Sequence, residues 1–170
     1  MSDLKDKLLR LTALRYQTMP LLITSMKPDE NLHIGDEVSR ILKFHLLSEA
    51  VLDKLLELAF EPNGEALLSA RLTYSQKLDI ASRSKLTEDY ALLPDFVVGS
   101  LRKLNQIRNR LSHELGATVT REEVIELFMG IDFPMPIDPA SADVSKIIYQ
   151  YTAIIFGYML PKFEEIDKQI

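Results

Sequence analysis

A chain of 170 residues with 46% hydrophobic and 26% charged residues fits one domain and is long enough to bury a real core. A net charge of -5 excludes a surface that coats nucleic acid or membrane as a whole, so any nucleic-acid contact must come from a local basic patch. The absence of cysteine excludes disulfides, thiolate metal sites and cysteine nucleophiles, and suits a reducing cytoplasm. No apolar run approaches the ~20 residues that span a bilayer. Ser2 to Lys7 is charged and has no secretory apolar core. The expected location is the cytoplasm, with no membrane contact.

Helical spacing dominates from end to end, and strand signals are nearly absent. Ser2 can cap a first helix with a stripe of Leu4, Leu8, Leu11 and Leu14 or Arg15, which Pro20 should end or bend. Residues 27–35, with Pro28, Asp29, Asn31 and Gly35, read as a loop. Asp36 opens a long second helix running to about Phe60. Its apolar set of Val38, Ile41, Leu42, Leu46, Leu52, Leu55, Leu56 and Ala59 is interrupted only by Glu49. Pro62-Asn63-Gly64 stops it. Two short helices are predicted over Glu65–Leu72 and Tyr74–Ser84, with Thr73 as the cap between them, and Thr87 to Leu93 forms a connection. Pro94 suits the first position of another long helix, whose apolar face is Phe96, Val97, Leu101, Leu104, Ile107, Leu111 and Leu115 and which Gly116 closes. Thr120 with Glu123 makes a capping box for a short helix ending at Gly130. A proline-containing loop follows, and Ser141 or Asp143 starts a last helix toward Ile170, bent at Pro161. The expected fold is all-α: a single domain over 1–170, with two long central helices and several shorter ones in a bundle.

Residues 102–113 carry Arg102, Lys103, Arg108, Arg110 and His113 with no acidic residue, the only sustained basic run in an acidic chain. Such a run is usually a solvated helix face, yet surface helices usually mix signs. Within it lies Arg108-Asn109-Arg110-Leu111-Ser112-His113. An arginine can fork onto a phosphate, and an imidazole is the side chain suited to moving protons near neutral pH. Asn109 and His113, four apart, share a helix face. Arg108 lies about 100° around from Asn109. The polar set can be presented on a cleft while Ile107, Leu111 and Leu115 anchor the opposite side. Cleaving RNA without a metal requires a proton taken from the 2′-hydroxyl, a proton given to the leaving oxygen, and positive charge on the phosphate. One histidine and one or two arginines are a thin set for this; two copies in a symmetric dimer would suffice. The competing reading is a hydrogen-bonded cluster that pins two helices or a dimer seam.

The segment Ile107-Arg108-Asn109-Arg110-Leu111-Ser112-His113-Glu114 resembles the signature of the HEPN superfamily: Arg, a polar residue that is often Asn, a few variable residues, then His. The stretches Leu72 to Ala81 and Leu101 to Gln106 are also similar to bacterial members, so the resemblance spans about 36–116, with 120–170 as a helical extension. It implies a helical bundle, a homodimer that joins two motifs in one cleft, and metal-independent endoribonuclease activity in a toxin or phage-defence protein, checked by an antitoxin. Carried over, Arg108 and His113 would be catalytic and Asn109 would orient them or the phosphate. Some HEPN toxins carry a modified tyrosine two residues after the histidine. Leu115 stands there, so control by adenylylation at that position is not expected. The C-terminal third resembles the layout of the mannitol operon repressor family, which implies a non-catalytic regulator or scaffold acting through protein partners.

Around the motif, Arg102 and Arg110 are expected to track the RNA, with Lys103 weaker because it falls on the apolar side. His45 and Glu49, four apart on the second helix, are expected to orient the active histidine or, more in keeping with a bundle interior, to form a buried pair that satisfies itself. Too few ligands cluster for a metal, and no cofactor is expected. Lys77 and Asp79 read as surface charge. Tyr149, Tyr151, Phe156 and Tyr158 read as packing aromatics rather than base-stacking platforms. The scattered glycines exclude a P-loop or a Rossmann turn.

Overall fold

The computed structural model describes residues 2–26, 36–86, 90–128, 131, 138 and 142–160. Seven helices lie there: α1 (Ser2–Met26), α2 (Asp36–Ala59), α3 (Gly64–Ser69), α4 (Tyr74–Arg83), α5 (Asp95–His113), α6 (Arg121–Glu126) and α7 (Val144–Met159). The chain is an all-α bundle. Among the described residues no strand forms, and the only extended pairing is an isolated bridge between Lys85 and Ala91.

α2 is the axis of the bundle and packs on α1, α3, α4, α5 and α7. Ile41, Phe44, Leu52, Leu55 and Leu56 are fully or almost fully buried, at the three- and four-residue steps that make one helix face. The stripe is narrower than its apolar residues: Leu46 is 64% exposed, against the expectation that it joins the core. Phe44 packs edge-to-face with Tyr151 and Phe156 at centroid distances of 5.0 and 5.5 Å. Phe128 meets Tyr151 at 4.8 Å, and Phe96 meets Tyr158 at 4.7 Å. The α7 aromatics are packing groups.

Local side-chain chemistry sets the starts of three helices. Thr73 and Gln76 close a capping box at the start of α4, and Thr120 and Glu123 close one at α6. The Asp143 side chain caps α7 through the Ser145 N–H. Arg15 reaches from α1 to the carbonyls of Gly157 and Leu160, at 3.0 and 2.6 Å, placing a cation where the end of α7 leaves oxygens unpaired. Gly64 is required by contact: a Cβ there would lie 2.2 Å from the backbone oxygen of Glu57, so α3 can fold back on α2 only without a side chain.

Several boundaries differ from the sequence expectation. α1 runs unbroken through Pro20 to Met26. Pro20 and Tyr16, whose carbonyl the proline deprives of a donor, are both exposed, so water can take the lost bond. α3 stops at Ser69 rather than Leu72, and α6 at Glu126 rather than Gly130. α5 ends at His113, where Glu114 turns extended and Gly116 adopts a φ of 80°. Leu115 therefore lies beyond the helix and is fully exposed instead of anchoring its apolar face. α7 ends at Met159. The expected loop at 27–35, most of the proline loop and the stretch from Pro161 to Ile170 lie outside the described residues.

Candidate functional site

α5 lies against α2, α4 and α6, and its cations point toward different neighbours. Arg102 pairs with Asp79 of α4 at 2.9 Å, both side chains being about half exposed. Lys103 pairs with Glu126 of α6. Arg110 Nη2 donates to the Glu123 carboxylate, lying 2.7 Å from both its oxygens, and to the Thr118 carbonyl at 2.8 Å. The run that reads as unopposed charge in sequence is thus answered, residue by residue, by acids from other helices. Arg108 is different. Its guanidinium's only hydrogen-bond partner among the described residues is the side-chain oxygen of Asn109, at 3.1 Å, and no carboxylate pairs with it.

Arg108 and Asn109 line a half-open cleft of about 350 Å³ between α2, α4 and α5. From α5 the cleft is also lined by Asn105, one turn earlier, and from α2 by His45 and Glu49. Thr73, Tyr74 and Ser75, where α4 begins, close the third side. Structure therefore joins four of the residues singled out in sequence: Arg108, Asn109, His45 and Glu49. His113, the proposed proton carrier, does not line the cleft. It is the last residue of α5 and is exposed to solvent. Five residues separate it from Arg108, about 140° around an ideal helix, so the two point apart within one chain.

His45 is only 3% exposed. Its ring lies on that of Tyr74, with centroids 4.2 Å apart, and its Nε2 is 3.0 Å from Asn105 Oδ1. Since that oxygen can only accept, Nε2 carries a proton and donates. Burial lowers the pKa of His45. The Asn105 bond opposes that shift, Arg108 adds to it, and Glu49 weakly opposes it. Behind the stacked rings, Ser48 Oγ donates to the His45 carbonyl at 2.8 Å, so its oxygen accepts from the Tyr74 hydroxyl at 3.0 Å. Burial pushes the Tyr74 phenol well up, which keeps it a neutral donor.

His45 and Glu49 do not satisfy one another. Glu49 instead accepts from Lys77 Nζ at 2.9 Å, and the same ammonium bonds Asp53 at 3.0 Å. Lys77 is 8% exposed, so it is a buried ion-pair centre rather than surface charge. Asn105 could have been found in the sequence, since 105, 108 and 109 fall on one helix face. Tyr74, Ser48 and the burial of Lys77 carry no local signal; they depend on α4 lying across α2.

Among the described residues, no group of three or more histidines and carboxylates is placed to hold a metal ion, and no helix is long and apolar enough to cross a membrane. Comparison of the chain with family models, with curated proteins and with solved structures finds no match.

Proposed function

We propose that the chain is a metal-independent endoribonuclease of HEPN type that acts as a homodimer. The observation that carries this reading is the state of two side chains on α5. Arg108 is the one cation of the run with no carboxylate partner among the described residues, and His113 is exposed at the helix end. In the proposed reaction the 2′-oxygen attacks the adjacent phosphorus and the bond to the 5′-oxygen breaks, leaving a 2′,3′-cyclic phosphate and a 5′-hydroxyl. One His113 takes the 2′-hydroxyl proton, and the imidazolium of the second copy gives a proton to the departing oxygen. Arg108 meets the negative charge of the pentavalent phosphate, and Asn109 holds Arg108 in place. The angle between Arg108 and His113 on one helix favours a site assembled across a two-fold axis, where each phosphate meets groups from both copies. An effector of this kind in the cytoplasm, a toxin or a defence protein, would need an antitoxin or another restraint.

A regulator or scaffold that does no chemistry is the second reading. It is favoured by the ion pairs of Arg102, Lys103 and Arg110, which bind the basic run internally. One assay separates the two. Wild type, His113→Ala and Arg108→Ala are incubated with total RNA in EDTA. The nuclease reading expects cleavage by wild type that falls at least about 100-fold in each variant. Inactivity of all three, or cleavage that survives both substitutions, removes it.

A further inference from the structure

We propose that the cleft between α2, α4 and α5 is a base-reading subsite that seats one guanine of a single-stranded RNA. The inference rests on the nuclease reading for its purpose, while its chemistry comes from the cleft alone. A volume of about 350 Å³ is at the small end of ligand pockets, which run from about 300 to 1,000 Å³. It admits one base and its sugar and excludes a duplex.

The donors and acceptors on its walls form a pattern. Glu49 lines the cleft with its side chain 31% exposed, and only Oε1 is engaged, by Lys77. Its other oxygen has no partner among the described residues. The ion pair holds the carboxylate in position and leaves acceptor capacity on a residue that lines the cleft. Asn105 is oriented from behind: His45 donates to its Oδ1, which leaves its amide N–H groups as the free end of that side chain. The cleft thus offers a carboxylate acceptor and amide donors, with Arg108 available for the attached phosphate.

Guanine is the RNA base whose Watson–Crick edge carries two adjacent donors, N1–H and N2–H, which a carboxylate can take together. Its O6 and N7 are acceptors for an amide. Adenine, cytosine and uracil each offer a carboxylate a single donor group on that edge.

The test is an NMR-monitored titration of the full chain with 5′-GMP, 5′-AMP, 5′-CMP and 5′-UMP at one ionic strength. GMP should bind at least about tenfold more tightly than the other three, the value of one or two net hydrogen bonds. In Glu49→Gln the amide matches the donor–acceptor pair of adenine, so the ratio of GMP to AMP affinity should fall at least about tenfold. Because Glu49 also holds Lys77, Ser75→Phe serves as an independent probe. Ser75 is exposed at the cleft, and a phenyl ring there should block GMP and leave the circular-dichroism melt unchanged. Equal binding of the four nucleotides, or GMP binding untouched in a folded Ser75→Phe protein, overturns the proposal. GMP binding in a protein that cleaves no RNA would remove the nuclease reading and keep the guanine site. Cleavage that depends on His113 without GMP binding would do the reverse.

Discussion

Lys77→Met tests whether the ammonium between Glu49 and Asp53 is a structural keystone of the cleft wall. The thioether retains the apolar stem of the lysine and removes the charge, leaving two carboxylates that each contacted Lys77 Nζ within 3.0 Å. Removing one member of a fully buried ion pair costs about 3–5 kcal/mol. The Lys77 side chain is 11% exposed, but Glu49 and Asp53 keep 31% and 34% exposure, so the stranded carboxylates stay partly hydrated. The expected loss is therefore about 1–3 kcal/mol at pH 7. The pH dependence carries a sign. In wild type, burial works against the ammonium, but the hydrogen bonds and charges of Asp53 and Glu49 outweigh it and the Lys77 pKa is raised. Its stabilisation is complete below the ordinary lysine value of 10.5 and is lost as pH rises through the raised one. The variant has no ammonium to lose, so the gap to wild type should hold below the ordinary lysine value and shrink as pH rises through the raised one. Urea unfolding followed by circular dichroism at pH 7 and about pH 11 measures both effects. A variant as stable as wild type at pH 7, or a gap that widens at alkaline pH, would refute the reasoning.

Two further perturbations probe the frame and the buried histidine. Gly64→Ala should destabilise by at least about 2 kcal/mol, because the added carbon meets backbone that cannot move aside cheaply. Gly99→Ala, at an exposed α5 position with nothing within 4 Å of the new carbon, should stabilise by about 0.5–1 kcal/mol; thermal melts of the pair check both. His45 has a lowered pKa, so below the ordinary value of 6.5 the unfolded chain binds the proton first and stability falls with pH. Comparing urea midpoints of wild type and His45→Gln from pH 7.5 to 5.5 should show a shallower decline in the variant, and parallel declines would contradict the assignment.

What the sequence discloses here is what depends on local spacing. α2 runs from Asp36 to Ala59, within a residue of the span read from its apolar steps and the Pro-Asn-Gly stop. The Thr120–Glu123 capping box and the Asp143 start of α7 follow from side chains that bond their own neighbourhood. The failures share a cause. Whether Pro20 breaks α1 depends on which side of the bundle the freed Tyr16 carbonyl faces. Whether Leu46 or Leu115 is core depends on how much of a stripe other helices cover and where α5 stops. Lys77 looks like surface charge until α4 is laid against the two acids of α2. For the candidate site, periodicity puts Arg108 and Asn109 on a common stretch of helix. Only the packing of α2 and α4 brings His45 and Glu49 to them and leaves His113 outside the cleft.

The same distinction between charge along a chain and charge in space yields a number. Successive residues on α5 point about 100° apart, so Arg102, Lys103 and Arg110 meet Asp79, Glu126 and Glu123, whereas Arg108 faces the cleft without a carboxylate partner. If those ion pairs persist on binding, each chain would neutralise about one phosphate of a single-stranded RNA. The logarithm of affinity should then fall with the logarithm of salt at a slope of about -0.7 per chain. If the whole run engages RNA, four cations would give a slope near -2.8. Fluorescence anisotropy of a labelled single-stranded RNA on His113→Ala, which should bind without cutting, measures the slope between about 50 and 200 mM salt. A shallow slope that vanishes in the added Arg108→Ala background identifies Arg108 as the principal phosphate contact. A steep slope that survives it means that RNA opens the ion pairs, and that the basic run acts as a unit after all.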